Sequence, residues 1–462
     1  MNYNYKQVFF IGLGGIGMSA IARFFKLKGL TVAGYDRTPS ALTETLQIEG
    51  IKIVFSDDEN LIDDNFRDVE TTLVVYTPAV KEHRQLKYFR ENNFNVLKRS
   101  QVLGMITESC NAVCVAGTHG KTTISTMTAH LYRQSQTGCN AFLGGISKNY
   151  DTNFFWDENS LFTIVEADEF DRSFLTLKPH TALVSAIDAD HLDIYQNKEN
   201  MIAAFIEFVN KIIPNGNFIV KNNLPVMWDL KDNLNIFTYS LDDNTSDFFA
   251  ENIRQEDVVY LFDLQTPGGI ISNLKTGIPG LVNVENAVGA CALALVNNVK
   301  VDEIRDALPL FKGIARRFDI QINTPDLVYI DDYAHHPEEI RATLESVRAL
   351  YPNYKMIVIF QPHLFTRTRD FYQEFAKSLS FADELFLLDI YPAREEPIEG
   401  ITSKIIGNLV KNIPVHYIAK SEIAEKIPVK SPQVIVTMGA GDIDREVAVV
   451  KEKLLRVREI SL

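Results

Sequence analysis

The stretch VCVAGTHGKTT at residues 113–123 predicts a buried strand, a glycine-rich turn and the start of a helix, in that order. Gly117 and Gly120 let successive backbone N–H groups face one concavity, and the following helix adds the positive end of its dipole. Lys121 places a charge there, and the hydroxyl of Thr122 suits Mg²⁺. The pattern G-x-x-x-x-G-K-[ST] is met imperfectly, with Val115 in place of its first glycine. We still predict a nucleoside triphosphate site rather than a helix that merely follows a glycine turn.

The composition is that of a globular protein with several domains. The 462 residues are 46% hydrophobic and 23% charged, and a chain of this length is expected to form two to four domains. The net charge of −14 disfavours general binding to nucleic acid or anionic membranes, although a local basic site for an anionic ligand is compatible with it. We therefore expect neither nucleic acid nor a membrane as a partner.

The cysteines and apolar segments indicate a reducing compartment. Cys110, Cys114, Cys139 and Cys291 have neither CxxC spacing nor the density of a disulfide-rich protein. The apolar stretch 8–22 contains four glycines and has no A-x-A cleavage site, which disfavours a signal peptide. No other run approaches the roughly 18 apolar residues that a membrane span needs. We expect a cytoplasmic protein.

Strands alternate with helices in three α/β blocks, the second beginning near Asn111 and the third near Arg316. Such alternation predicts parallel sheets covered by helices. The pattern also predicts a helix near 199–211 and a β-rich stretch near 234–276. Pro337 is placed for the first turn of another helix. The strands expected in the second and third blocks lie near 161–166, 182–187, 327–331, 355–360, 384–390 and 433–438.

The first block begins with a second glycine-rich loop. The strand QVFFI at 7–11 is followed by GLGGIG at 12–17 and by a helix expected from about Met18 to Gly29. A further strand ends at Asp36, twenty-four positions after Gly12. Taken alone, this order of strand, G-x-G-x-x-G, helix and acidic residue suggests a nicotinamide cofactor.

Two acidic clusters follow apolar strands after the phosphate loop, VEADEFD at 165–171 and DADHLD at 188–193. Open α/β sheets bind ligands at the carboxyl ends of their strands, so both clusters are expected to converge beside Lys121. Glu166 and His191 are then candidates for metal ligation or for orienting a metal-bound water. Each cluster considered singly is also compatible with a merely solvated face.

With these segments in this order, the chain resembles the Mur ligases of peptidoglycan synthesis. Any one of the segments is weakly specific, whereas nine in the correct order along nearly the whole chain are highly specific. They are GLGGIGMSAIA at 12–22, AGTHGKTT at 116–123, EADEFDRSFL at 166–175, DADHLDIY at 188–195, PGLVNVENAVGA at 279–290, ARRFD at 315–319, DDYAHHPEEI at 331–340, FQPHLFTRTRDF at 360–371 and DIYPAREEPIEG at 389–400.

The resemblance implies an α/β protein with three domains. Residues 1–107 would form a Rossmann-like domain that binds the UDP end of the substrate, and 108–314 a central P-loop ATPase-type domain with a β-rich extension. Residues 315–462 would form a second Rossmann-like domain that binds the amino acid and closes over the site. The implied activity is ATP-dependent addition of L-alanine to UDP-N-acetylmuramate through an acyl phosphate, with ATP and Mg²⁺ as cofactors. We expect a monomer or a weak homodimer.

The resemblance also implies roles for individual residues. The UDP substrate would contact Gly12, Gly14, Gly15, Ile16, Gly17, Asp36 and Thr77. ATP would contact Gly117, Thr118, His119, Gly120, Lys121, Thr122, Thr123, Asn283, Asn286, Arg317 and Asp332. Metal ions would be held by Thr122, Glu166 and His191. The amino acid would be bound by Tyr333, His335, His363 and Arg367, and catalysis would rest on Lys121, Glu166, His191, His335 and Arg367.

The chain departs from the family pattern at a position that concerns the amino acid. The family usually has arginine where this chain has Leu364, and that arginine is expected to help hold the carboxylate of the incoming amino acid. Arg367 would then act alone or with Arg369 or Arg394. Sibling ligases carry a carbamylated lysine where this chain has Ile206, and its absence is typical of the alanine-adding member.

Three other functions remain as alternatives. A recycling ligase would join a murein tripeptide to UDP-N-acetylmuramate, although FQPHLFTRTRDF and DDYAHHP favour the alanine-adding reaction. An NAD-dependent oxidoreductase would use the first glycine loop and leave AGTHGKTT unexplained. A P-loop switch or motor ATPase would hydrolyse ATP with no small-molecule acceptor.

Overall fold

The computed structural model describes residues 5–78, 80, 83–188, 192–231, 233–393, 395–429 and 432–461. Contacts between Cα atoms divide the chain into two compact units. The first unit comprises Met1–Arg254, Leu261–Gly277 and Val284–Lys312, and the second comprises Gln255–Tyr260, Ile278–Asn283 and Gly313–Leu462.

The first sheet of the first unit has five parallel strands in the order β3-β2-β1-β4-β5. This order and the helical crossovers confirm the predicted Rossmann-like fold. Its strands are apolar because both faces of the sheet are covered. The strands are β1 (Gln7–Ile11), β2 (Thr31–Tyr35), β3 (Lys52–Val54), β4 (Thr72–Tyr76) and β5 (Asn95–Lys98), and the helices are α1 (Ile16–Leu27), α2 (Ala41–Ile48), α3 (Arg84–Glu91) and α4 (Arg99–Thr107).

The second sheet has seven strands in the order β12-β11-β10-β6-β9-β7-β8, with β6 in the middle. Among the described strands of this sheet, β7 and β8 pair in antiparallel fashion and the other neighbouring strands pair in parallel. The strands are β6 (Asn111–Ala116), β7 (Asn140–Ser147), β8 (Thr152–Phe155), β9 (Phe162–Glu166), β10 (Thr181–Val184), β11 (Asn217–Lys221) and β12 (Asn235–Tyr239). The helices are α5 (Lys121–Arg133), α6 (Leu192–Tyr195) and α7 (Lys198–Val209).

A small three-stranded sheet follows and accounts for the predicted β-rich stretch. Its strands are β13 (Phe249–Glu256), β14 (Val259–Thr266) and β15 (Gly269–Lys275). Two helices come next along the chain, α8 (Leu281–Val296) and α9 (Val301–Ala307).

The second unit contains a six-stranded sheet in the order β16-β17-β21-β18-β19-β20. Only β16 pairs in antiparallel fashion among the described strands of this sheet. Pro337 opens α10, as its position in the sequence predicts. The strands are β16 (Asp319–Asn323), β17 (Leu327–Asp332), β18 (Lys355–Phe360), β19 (Glu384–Leu387), β20 (Val415–Tyr417) and β21 (Gln433–Met438). The helices are α10 (Pro337–Leu350), α11 (Phe365–Leu379), α12 (Lys404–Gly407), α13 (Ile423–Lys426) and α14 (Val447–Ser461).

One apolar core runs through the first and second sheets of the first unit. Helix α1 packs on β7 and β8 of the second sheet, where the rings of Phe24 and Phe142 lie 5.8 Å apart. Asn153 is fully buried in this contact. Its amide donates to the Ile16 carbonyl (2.5 Å), and its oxygen accepts a hydrogen bond from Arg23 (2.5 Å). The helix that begins at the first glycine loop is therefore attached to the central sheet.

Two further observations concern membrane-spanning helices and the cysteines. Within the ranges that the structure describes, no helix is both long enough and apolar enough to cross a membrane. All four cysteines are free thiols, in agreement with the absence of a disulfide framework in the sequence.

Replacing Asn153 with Ala is expected to destabilise the first unit by about 1–3 kcal/mol, because it removes a fully buried amide that bonds the Ile16 carbonyl and the Arg23 guanidinium. The measurement is the midpoint of thermal unfolding, followed by near-UV circular dichroism. Asn159→Ala, at an exposed position six residues away, is the matched control and should change stability by less than about 0.5 kcal/mol. Equal midpoints for the two variants would contradict the assigned role of Asn153.

Candidate active site

The loop between β6 and α5 is shaped by two glycines with left-handed backbone. The angle φ is +131° at Gly117 and +82° at Gly120. A Cβ atom at Gly117 would lie 2.3 Å from the hydroxyl oxygen of Ser185, which itself donates a hydrogen bond to the His119 carbonyl. Glycine is thus required at position 117 both by the backbone angle and by the space available.

Lys121 begins α5 and makes the central ionic contact of this loop. Its ammonium donates to the Gly117 carbonyl (2.7 Å) and to the Glu169 carboxylate (2.8 and 2.9 Å). Burial alone would lower the pKa of Lys121, but the carboxylates of Glu169, Asp168 and Glu166 outweigh it and raise the pKa above its ordinary value. Lys121 is therefore charged and aimed across the loop, with a buried carboxylate as its partner.

The two acidic clusters converge on this loop, as the strand order predicts. Glu166 ends β9, and its carboxylate lies against Gly144 of β7, where a Cβ atom would be 2.2 Å from Oε2. Asp188 of the second cluster donates its backbone N–H to the Thr118 hydroxyl (3.1 Å) and pairs with His119 across 3.5 Å. Both clusters thus meet the phosphate loop at the carboxyl ends of neighbouring strands.

The predicted metal ligands are only partly described. His191 lies outside the described residues, so its predicted role stays a prediction. Thr122 and Thr123 sit in the first turn of α5, where Thr122 is buried. In the part of the chain that the structure describes, no three His, Cys, Asp or Glu side chains are grouped to hold a metal ion. A hydroxyl and a carboxylate nevertheless fit Mg²⁺, which usually keeps several waters and takes its remaining ligands from phosphates.

The two asparagines of α8 fall in different units. Asn286 belongs to the first unit and reaches the phosphate loop, since a Cβ atom at Gly120 would lie 3.1 Å from its Oδ1. Asn283 belongs to the second unit, where its amide donates to the Pro279 carbonyl (2.6 Å). Both side chains are buried.

The first glycine loop brings its predicted residues together at the carboxyl end of β1. The backbone N–H of Gly14 donates to the Asp36 carboxylate (2.6 Å), and a Cβ atom at Gly12 would lie 2.4 Å from Cγ2 of Thr77. Gly15 precedes α1 as its capping residue, and Ile16 and Gly17 form its first turn. Asp36 therefore stabilises the turn of the glycine loop, and its role toward the UDP substrate stays a prediction.

Arg99 connects this glycine loop with the acidic loop of the phosphate site. A Cβ atom at Gly17 would lie 2.7 Å from its guanidinium, which pairs with Asp168 across 3.6 Å. The neighbouring Lys98 pairs with Asp171 (3.5 Å). Within the first unit, the two glycine-rich loops are thus joined through a basic pair at the start of α4.

In the second unit a buried carboxylate organises the residues after β17. Asp332 accepts hydrogen bonds from the backbone of Phe318 (2.6 Å) and Ala334 (2.7 Å). Burial raises the pKa of Asp332 to about 6, although Arg317 opposes the shift. The guanidinium groups of Arg316 and Arg317 each lie 5.1 Å from the ring centre of Tyr333. Asp332 and Tyr333 at the end of β17 are therefore held against the segment that precedes β16.

His335 lies in the same turn and is held in one tautomer. Its Nδ1 is 3.0 Å from the Tyr333 carbonyl and 3.3 Å from the Glu339 carboxylate. Both neighbours are acceptors, so Nδ1 carries the proton and the lone pair is on Nε2. Burial lowers the pKa of His335 to about 4, with Glu339 acting in the opposite direction. The ring is consequently neutral at pH 7.

His363 and Arg367 approach the same turn from the start of α11. The rings of His335 and His363 lie 5.9 Å apart, and the charge of Arg367 helps to depress the pKa of His335. Between them Leu364 has φ of +71°, a left-handed angle that costs a non-glycine residue about 1 kcal/mol or more. The predicted substitute Arg369 is engaged with Asp370 (2.7 Å), and Arg394 lies outside the described residues.

Three family models match consecutive parts of the chain. They describe the catalytic domain of the Mur ligase family over residues 7–109, the Mur ligase middle domain over 115–294 and the Mur ligase glutamate ligase domain over 316–441. A UDP-N-acetylmuramate–L-alanine ligase of Phocaeicola vulgatus is 51% identical over 444 residues, which are 96% of each chain. The chain belongs to the Mur ligase family.

Further relatives agree with this assignment. A Porphyromonas gingivalis UDP-N-acetylmuramate–L-alanine ligase is 49% identical over 451 residues, which are 97% of this chain and 99% of that protein. The crystal structure of a UDP-N-acetylmuramate-alanine ligase from Thermotoga maritima has a TM-score of 0.82, 26% identity and coverage of 99% and 100%. A murein peptide ligase from Psychrobacter arcticus, at 23% identity with a TM-score of 0.71 and coverage of 97% and 98%, shares the fold.

Sequence reasoning missed several residues of this Mur ligase that the structure places beside the predicted ones. The acidic cluster 165–171 contains Glu169, but nothing in the sequence shows that Glu169, rather than Glu166, is the partner of Lys121. Ser185 and Tyr195 contact the phosphate loop and the Glu169 carbonyl, respectively. Arg99, which pairs with Asp168, lies outside every motif of the sequence analysis. The one signal in the sequence is the acidic cluster 165–171, which contains Glu169.

The imidazole of His335 is expected to titrate near pH 4 in this Mur ligase, because burial disfavours its charged form. The measurement is the pH dependence of its ring signals by NMR, assigned with a His335→Gln variant. Glu339→Gln should move the midpoint lower still, since Glu339 raises the pKa of His335. A midpoint near the ordinary value of about 6.5 would contradict the burial argument.

Proposed function

We propose that the chain is an ATP-dependent ligase that joins the carboxylate of UDP-N-acetylmuramate to the amine of L-alanine, in peptidoglycan precursor synthesis. The observation that carries the proposal is 51% identity over nearly the full length to a ligase named for this reaction. The lactyl carboxylate attacks the γ-phosphate of ATP, which releases ADP and forms an acyl phosphate. The amine then attacks the acyl carbon, and phosphate leaves as the amide forms.

The contribution that we assign to the first unit is the positioning of phosphates. Lys121 is already charged and directed into the loop. The phosphates of bound ATP would either replace Glu169 as the partner of Lys121 or bind Lys121 together with Glu169. The Gly117 to Thr123 segment, with Asn286 beside it, would hold ATP. The first glycine loop, with Asp36 and Thr77 against it, would cradle the diphosphate of the UDP substrate.

Mg²⁺ is a further part of this proposal. The Thr122 hydroxyl and the Glu166 carboxylate would hold it, together with His191 for a second ion. A bound Mg²⁺ supplies charge neutralisation for the phosphates. Glu166 lies against Gly144 at the mouth of the loop, which is consistent with this use.

To residues of the second unit we assign contacts with L-alanine and with ATP. Arg317, Asp332 and Asn283 are proposed to contact ATP. Tyr333, His335, His363 and Arg367 are proposed to surround the amino acid. With its lone pair on Nε2, the neutral His335 is able to accept a proton, but a pKa of about 4 makes it a weak base near pH 7. We therefore assign His335 mainly to orienting the amine, with proton acceptance as the role to be tested.

Domain limits, location and assembly are also proposals. We propose domains at 1–107, 108–314 and 315–462; the second limit falls between the ranges of two family models, and the first lies two residues before the end of the first range. The four free thiols support action in a reducing cytoplasm. We propose a monomer or a weak homodimer, and the net charge of −14 disfavours nucleic acid and anionic membranes as partners.

The first experiment measures phosphate release from ATP with Mg²⁺ and UDP-N-acetylmuramate, comparing L-alanine, glycine, L-serine, the murein tripeptide and no acceptor. We expect release that depends on L-alanine, together with a product heavier by one alanyl residue in mass spectrometry. Release with the tripeptide alone would move the protein to recycling, and release without any acceptor would favour a plain ATPase.

Lys121→Ala is expected to lower turnover by about a thousandfold or more, because the charge that neutralises the phosphates is lost. The same coupled assay measures this, and the thermal midpoint verifies that the variant is folded. Lys87→Ala, at a side chain that is 75% exposed, is the control and should keep normal turnover. Near-normal activity in Lys121→Ala would remove the phosphate role of this residue.

A further inference from the structure

A cavity of about 330 Å³ lies in the first unit, away from both glycine-rich loops. It sits at the amino ends of strands in the first and second sheets and at the carboxyl ends of α1 and α4. Its volume falls in the range of small-molecule sites. None of the residues that we assign to ATP, the UDP substrate or the amino acid lines it. Its lining includes Phe24, Lys28, Cys110, Phe142, Trp156, Asp157 and Glu158.

Aromatic rings form one wall of the cavity and already bind a cation. Phe24 lies 5.8 Å from Phe142 and 5.7 Å from Trp156 between ring centres. The ammonium of the exposed Lys28 sits 4.5 Å from the centre of the Trp156 ring and 5.8 Å from that of Phe24. This is a cation–π arrangement made with a flexible surface side chain, which a ligand can displace at small cost.

Two carboxylates belong to the same lining. Asp157 and Glu158 follow Trp156 directly, and neither makes an ion pair with any described Lys or Arg. Arg133 lines the adjoining cavity with them, but its guanidinium lies over the rings of Tyr150 and Phe155. The lining therefore carries two negative charges against the single ammonium of Lys28. A cation is favoured over an anion by this balance.

We propose that this cavity is a second binding site, for a small planar aromatic ligand that carries a cationic nitrogen. The aromatic part lies between Phe24, Phe142 and Trp156. The cationic nitrogen takes the place of the Lys28 ammonium and is held by Asp157 and Glu158. The site is separate from the proposed ligase site, so its existence does not depend on the proposed function.

The chain contains a natural reporter for this site. It has two tryptophans, Trp156 and Trp228, so Trp228→Phe leaves the cavity residue as the single tryptophan. We use benzamidinium as the probe, with benzoate and benzyl alcohol as anionic and neutral controls of similar size. Benzamidinium should change the Trp156 emission saturably, with a Kd of about 1 mM as expected for so small a ligand. Benzoate should bind at least about tenfold more weakly.

Charge variants decide whether the carboxylates make the site. In the Trp228→Phe background, Asp157→Asn with Glu158→Gln should weaken benzamidinium at least about tenfold and leave benzyl alcohol within about twofold. The control removes two negative charges from exposed positions of α7, by Glu199→Gln with Glu207→Gln, and should leave both affinities unchanged. Equal weakening in the control pair, or no weakening in the cavity pair, would overturn the proposal.

A thiol in the cavity gives an independent readout. Cys110 is partly accessible, whereas Cys114, Cys139 and Cys291 are buried, so N-ethylmaleimide should label Cys110 first. Burial raises the pKa of the Cys110 thiol, and labelling is accordingly followed at alkaline pH. Benzamidinium should slow the labelling several-fold in the native protein, with Cys110→Ser as the blank. Absence of both protection and a saturable fluorescence change would show that the cavity does not bind this class of ligand.

Discussion

The first unit depends on the contacts of the Lys121 ammonium. This group donates to the Gly117 carbonyl and pairs with the Glu169 carboxylate. A buried carboxylate without a partner costs several kcal/mol, so Glu169 fixes the acidic loop only because Lys121 neutralises it. The lysine in turn reaches Glu169 only because Gly117 folds the loop back at a left-handed angle. Loop shape, strand order and charge therefore form one interdependent arrangement.

This arrangement extends to the first glycine loop through side chains that no motif contains. Arg99 touches Gly17 and pairs with Asp168, one residue before Glu169. Asn153 holds the start of α1 by a hydrogen bond to the Ile16 carbonyl. Both contacts are directional: the Arg99 guanidinium links the start of α1 to the acidic loop, and the Asn153 amide links it to β8. The two glycine-rich loops of the first unit are therefore held by one framework of polar contacts.

The sequence predicts those parts of the fold that follow from local pattern. The strands Lys355–Phe360 and Gln433–Met438 have the predicted limits, because continuous apolar runs mark strands buried on both faces. Strand β10 ends at Val184, before the predicted 187, because Ser185 turns away to bond the phosphate loop. Local sequence pattern does not show that Glu169, rather than Glu166, pairs with Lys121, because the two residues of this pair are 48 positions apart. The same holds for the pair of Arg99 with Asp168, which are 69 positions apart.

In the second unit, burial acts on two titratable groups with opposite consequences for stability. Asp332 has a pKa of about 6 when folded, so it binds a proton more tightly than in the unfolded chain, and its contribution to stability falls as pH rises from about 4 to 6. His335 has a pKa of about 4, so its contribution rises over nearly the same window. The contributions of Asp332 and His335 to folding stability therefore offset each other. This turn can therefore keep an ionised Asp332 beside a neutral His335 at pH 7 without making the unit acid-labile between pH 4 and 6.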